Sequence, residues 1–130
     1  MAVDTSALVA ILLREPDAGR FERALADAPI RLISAVTRVE LSFVIEGRKG
    51  EAGRVDLERL LQVAAIELVN VTSEQVHIAI DAFRRFGKGR HRAALNIGDC
   101  FAYVLASATG HPRLFKGDDF IHTDIRPAVV

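Results

Sequence analysis

The chain has 130 residues, with 17 Lys+Arg against 17 Asp+Glu, so its net charge nominates neither a nucleic acid nor a membrane surface as partner. Half of the residues are hydrophobic and 26% are charged, without a repeat or a low-complexity tract, which are the proportions of one globular domain over residues 1–130. A single cysteine, Cys100, excludes an internal disulfide framework; the apolar run at 7–13 is far short of the ~20 residues of a membrane span, no basic segment of a signal peptide precedes it, and a cytoplasmic location is expected.

Residues 2–4 read as a short strand. From Thr5 to Leu13 the apolar Ala7, Leu8, Ile11 and Leu12 recur at helical spacing. A second helix is expected over 17–28, with Phe21, Ala24, Leu25 and Ala28 on one face. Residues 30–34 form the next strand, and a helix over 36–48 stops at Gly50. Another helix follows over 51–65, its apolar side made by Val55, Leu57, Leu60, Leu61 and Ala64. The alternation IELVNV at 66–71 is a strand. Ser73 opens S-E-Q-V as the cap of a helix through Phe86, with Val76, Ile80 and Phe83 inward. A loop over 87–97 leads to a small-residue apolar helix at 98–109. A short strand at 113–115 follows, and a last one is expected near 123–125.

Helices separate all of these strands, and two-residue hairpin signals are absent. That pattern predicts a three-layer α/β/α domain whose short, mainly parallel sheet is flanked by helices. In open parallel sheets the ligand crevice lies beyond the carboxyl ends of the strands. Asp4, in V-D-T-S-A-L-V, ends the first strand and therefore stands at that edge.

Further acids fall in costly or suggestive places. Val36, Val39, Phe43 and Val44 predict the buried stripe of their helix, and Glu40 lies on it. A buried carboxylate must be paired, protonated or metal-bound, and a salt bridge to Arg38 or Arg48 is the plain structural reading. Asp99 lies in the first turn of the apolar helix in N-I-G-D-C-F-A-Y-V-L-A, where the helix dipole alone would favour an acid. Asp118 and Asp119, in F-K-G-D-D-F, leave the strand at 113–115 at the same edge as Asp4. Carboxylates gathered there cannot all stay ionised without a cation. An oxygen-only donor set suits the hard ions Mg²⁺ or Mn²⁺, and an ion so held can polarise a phosphoryl group for hydrolysis.

The chain resembles a PIN-domain ribonuclease of the VapC toxin type along essentially its whole length. The matching stretches are V-D-T-S-A-L, S-A-V-T-R-V-E-L, G-K-G-R-H-R-A-A-L-N-I-G-D-C-F-A-Y-V-L-A and L-F-K-G-D-D-F. The resemblance implies a Mg²⁺- or Mn²⁺-dependent endoribonuclease, the toxin of a toxin–antitoxin pair, that inhibits translation or growth when free of its antitoxin. It implies Asp4, Glu40 and Asp99 as catalytic metal ligands, with a fourth acid from the K-G-D-D-F loop. The family loop is commonly T-x-D-x-D-F; alignment on the final D-F puts Gly117 at the first acid and favours Asp119, with Asp118 as the alternate. Thr5 and Ser6 match the family's hydroxyls beside the first acid. The resemblance also implies a homodimer and a small VapB-type antitoxin that lays a C-terminal segment in the active-site groove.

Residues 84–92, RRFGKGRHR, hold five of the 17 Lys/Arg and leave the rest of the chain net acidic. Arg84 and Arg85 serve as ordinary cations at a helix C-terminus, whereas Lys88, Arg90 and Arg92 are the candidate contacts to an RNA backbone. No phosphate-cradling glycine motif is present, and Cys100 and the four histidines show no metal-ligand spacing. Two other readings fit the same α/β order less well. A phosphoacceptor signalling domain needs its acceptor at a central strand end, whereas Asp56 falls in an amphipathic helical pattern. A catalytically silent binding module has no reason to bear the cost of acids on buried stripes.

Overall fold

A computed structural model describes residues 1–89, 96–116 and 123–128. Its elements in chain order are β1 (Ala2–Val3), α1 (Thr5–Leu12), α2 (Ala18–Asp27), β2 (Leu32–Ser34), α3 (Ala35–Val63), β3 (Glu67–Val69), α4 (Ser73–Phe86), α5 (Ile97–Thr109) and β4 (Arg113–Leu114). The four strands pair in parallel in the order β3-β2-β1-β4, as the helix-separated strand pattern predicts. The chain first steps outward from β1 to β2 and β3, then returns to place β4 on the other side of β1. That reversal is a topological switch point between β1 and β4, and ligand crevices of open parallel sheets form outside such points.

The strands are short but their alternation is strict. Val3, Ile33 and Leu114 face a core built with Leu8, Phe21, Leu25, Leu41, Ile45 and Leu57 of α1, α2 and α3. Ala2 and Leu32 face the other way, onto Leu105 and Ala106 of α5. On the outer side of α5, Cys100, Tyr103 and Val104 pack against Ala79, Ala82 and Phe86 of α4. Fully burying side chains such as Phe21 or Leu41 stabilises the fold by about 1.5–3 kcal/mol each.

Two apolar stripes differ from the sequence expectation. On α3 the buried positions are Thr37, Leu41 and Ile45, while Val39 and Phe43 are exposed. On α4 the buried positions are Ala79, Ala82 and Phe86, and Val76, Ile80 and Phe83 lie at the surface. Both helices carry a second apolar stripe beside the one that meets the core. Val55, expected on the inner side, is likewise exposed.

Local chemistry sets the boundaries. Thr72, not Ser73, caps α4, its hydroxyl accepting from the Gln75 N–H at 3.1 Å. The helices expected on either side of Gly50 form one long element bent at that residue, whose φ of 58° and ψ of −143° suit only glycine. Beyond β4 the tail adds a parallel bridge between Arg113 and Pro127 rather than a strand at 123–125. Arg113 donates its N–H to Arg126 O and accepts from Ala128 N–H, at 3.0 and 2.7 Å. Tyr103 fastens the same tail by donating to Asp124 at 2.7 Å.

Candidate active site

Asp4 is both the end of β1 and the cap of α1. Its backbone N–H donates to Leu114 O of β4 at 3.0 Å, which seats it at the switch point. Its Oδ2 accepts from Ser6 N–H at 3.0 Å and from the Ser6 hydroxyl at 2.7 Å. Asp4 is 3% exposed, and its Oδ1 is buried without a hydrogen-bond partner among the described residues. An acceptor left this way is costly unless a cation or proton meets it.

Glu40 is half-buried at the side of the α3 core stripe rather than on it. Neither expected arginine pairs with it; Arg38 bonds Ser42 and Glu58 instead. The Thr5 hydroxyl donates to Glu40 Oε1 at 2.6 Å, so the residue after Asp4 orients the second acid. Gly98, in the first turn of α5, lets that carboxylate rest on bare backbone. A Cβ at position 98 would overlap Glu40 Oε1, Oε2 and Cδ. Glu40 therefore lies against the residue that directly precedes Asp99.

Asp99 is buried, and it closes a capping box at the start of α5. Its N–H donates to Asn96 Oδ1 and its Oδ2 accepts from Asn96 N–H, both at 3.0 Å. The three acids are thus satisfied in part by neighbours in sequence or across the crevice. Among the described residues no three Asp, Glu, His or Cys side chains are arranged to hold a metal ion. The donor chemistry nonetheless fits a hard divalent ion: all oxygen, with a buried free oxygen on Asp4 and the Glu40 carboxylate beside the Asp99 turn.

Asp118, Asp119, Arg90 and Arg92 lie outside the described residues. The strand end that leads into the K-G-D-D-F loop is held in place, however. Lys116 N–H donates to Ser6 Oγ at 2.8 Å, so Ser6 links Asp4 to that loop. The Lys116 ammonium bridges Glu15 at 3.1 Å and Asp17 at 3.2 Å. Lys88 is exposed in the turn after α4.

Cys100 follows Asp99 but faces the core. Burial, and then the Asp99 charge, push its thiol up to about 11, which keeps it protonated and unreactive. Asp56 is exposed on α3, 3.8 Å from Lys49, and not at a strand end, which removes the phosphoacceptor reading. Sequence reasoning passed over three residues that shape this site: Asn96, Gly98 and Arg113. The N-x-x-D spacing carried a signal for Asn96, and a charge within the strand P-R-L-F carried one for Arg113. Gly98 carried none, because its role depends on a side chain 58 positions away in the sequence.

A PIN-domain family model matches residues 1–126. Ribonuclease VapC30 of Mycobacterium tuberculosis is 54% identical over 125 residues, covering 96% of this chain and 95% of that protein. Ribonuclease VapC of Mycolicibacterium smegmatis is 52% identical, with 96% and 97% coverage, and Ribonuclease VapC42 of M. tuberculosis is 45% identical, with 98% of each covered. Among solved structures, M. tuberculosis VapC20, described as a Sarcin-Ricin loop cleaving toxin, matches with a TM-score of 0.73. That match covers 96% of this chain and 98% of the other at 19% identity, a likeness of fold. The chain belongs to the PIN-domain family and, within it, to the VapC ribonucleases, the toxin endoribonucleases that its motifs resemble.

Proposed function

We propose that this VapC-type endoribonuclease hydrolyses RNA phosphodiester bonds with Mg²⁺ or Mn²⁺ held by Asp4, Glu40 and Asp99, joined by Asp119 or its alternate Asp118. The observation that carries the reading is the buried, unpartnered Oδ1 of Asp4 at the switch point, beside a Glu40 carboxylate laid over the Asp99 turn. When bound, such an ion polarises the phosphoryl group and favours attack by water.

The chain's own residues set the stage. Ser6 fixes one oxygen of Asp4 and leaves the other open. Thr5 holds Glu40 through Oε1, and Asn96 holds Asp99 through Oδ2, so both carboxylates are fixed in place at the crevice. Lys88, Arg90 and Arg92 hold the RNA backbone through their charge, independently of base sequence. A VapB-type antitoxin is the expected partner that occludes this edge. The second copy of a homodimer is expected to cover exposed apolar side chains elsewhere.

Incubation of the purified protein with RNA tests the reading, with Mg²⁺ or Mn²⁺ present and again with chelator. Cleavage is expected only with the metal, and Asp99→Asn, which keeps the size and the cap acceptor, should lower it roughly a hundredfold or more. Equal cutting by wild type and Asp99→Asn, or cutting undiminished by chelator, would rule it out.

A further inference from the structure

Arg113 is a full cation inside the protein. It stands on β4, its side chain is 0% exposed, and it is the largest wholly buried residue among those described. Parallel pairing sets it opposite Ala2 of β1, so it shares a sheet face with Ala2 and with Asp4, two residues further along β1. That is the face covered by α5, and the guanidinium carbon lies 5.9 Å from the centre of the Tyr103 ring. The first turn of the same helix carries Asp99 and Cys100. Arg113 therefore sits behind the acidic crevice, on the protein side of Asp4 and Asp99.

Burial draws its pKa down to about 10, and the charges of Asp4 and then Asp99 oppose that fall. It thus remains charged at neutral pH. Desolvating a guanidinium costs several kcal/mol, which carboxylates nearby can offset and an apolar strand neighbour cannot. For its packing alone, this position would be filled more stably by an apolar side chain.

We propose that Arg113 is the resident countercharge of the acidic site, a positioning residue that stands behind Asp4 and Asp99 and weakens the site's hold on the divalent ion. The inference rests on the metal reading above. With Arg113 present, the negative charges of Asp4 and Asp99 are partly offset before any ion arrives. Once an ion is bound, the same charge repels it, so the affinity is kept moderate and the ion exchanges readily.

Mn²⁺ binding to the full-length chain by titration calorimetry at pH 8 tests this, together with melting in chelator and in Mn²⁺. Arg113→Met should bind Mn²⁺ roughly tenfold more tightly than wild type, melt lower in chelator, and gain more from Mn²⁺. Arg113→Lys, which keeps the charge, should stay near wild type. A residue that served only as packing would weaken metal binding when replaced, so the sign of the change separates the two roles. Should Arg113→Met not fold, Arg113→Gln, which loses the charge but keeps polar groups, gives the same comparison. Folding of either variant only when Mn²⁺ is present also supports the proposal; failure of both to fold even with Mn²⁺ overturns it. Mn²⁺ affinity in the neutral variants equal to or below that of wild type overturns it, as does a Lys variant that behaves like the Met one. If wild type binds no Mn²⁺ at all, the metal reading itself falls.

Discussion

At the scale of single residues the candidate site depends on atoms that are missing as much as on acids that are present. Gly98 has no Cβ, and the Glu40 carboxylate occupies the space one would take. Gly98→Ala should leave stability equal or higher, because alanine is favoured over glycine in a helix by about 0.5–1 kcal/mol. The displaced group is the free end of a flexible side chain, so the fold can accommodate the methyl while Glu40 swings off its position. Ribonuclease activity should therefore drop at least ~10-fold while the melting temperature stays at or above that of wild type. A melting scan and an RNA cleavage assay on the same preparation check this. Activity retained at the wild-type level would show that Glu40 is not needed where it lies.

At the scale of elements, the sequence reveals that helices exist more readily than which way they face. Four of the five expected strands, their parallel pairing and the strand-end placement of Asp4 were legible because helical periods separate short apolar runs, whereas the strand order was not. Asp4 and Asp99 each had a sufficient local explanation, as a helix cap and as a first-turn acid, and both turn out to be deeply buried. Glu40, whose stripe looked the costliest, is only half-buried. Its helix carries Val36, Val39, Phe43 and Val44 at one helical spacing and Thr37, Leu41 and Ile45 at another. Periodicity detects both stripes and cannot say which one meets the sheet. The bend at Gly50 was legible, since glycine is the residue that tolerates such a backbone. Gly50→Ala should cost roughly 1–3 kcal/mol through strain at its positive φ, lowering the melting temperature by several degrees. Gly47→Ala, on the same helix and with open space around it, should instead be neutral or stabilising. Equal melting temperatures for the two variants would show that the bend carries no strain for a side chain.

At the scale of the molecule, the misassigned stripes acquire a meaning of their own. Val76, Ile80 and Phe83 of α4, with Ile97 and Phe101 of α5, line an apolar groove of about 320 Å³. On α3, Phe43 is 75% exposed and Val39 51%, and Ile97 at the start of α5 is 71% exposed. Monomeric proteins seldom leave so much large apolar surface in water, and such patches mark interfaces. A second copy of this chain is the occupant that the homodimer reading requires, and mutual burial of these side chains would supply its driving force. Wild type should therefore sediment at twice the chain mass, and Phe43→Glu combined with Phe83→Glu should shift it to monomer. Both side chains are at the surface, so the double variant should keep the wild-type melting temperature when it is measured at concentrations where wild type has dissociated. A wild-type protein that sediments as a monomer at tens of micromolar would overturn the dimer. The exposed stripes would then have to belong to a different partner, and the acidic crevice would have to work within a single chain.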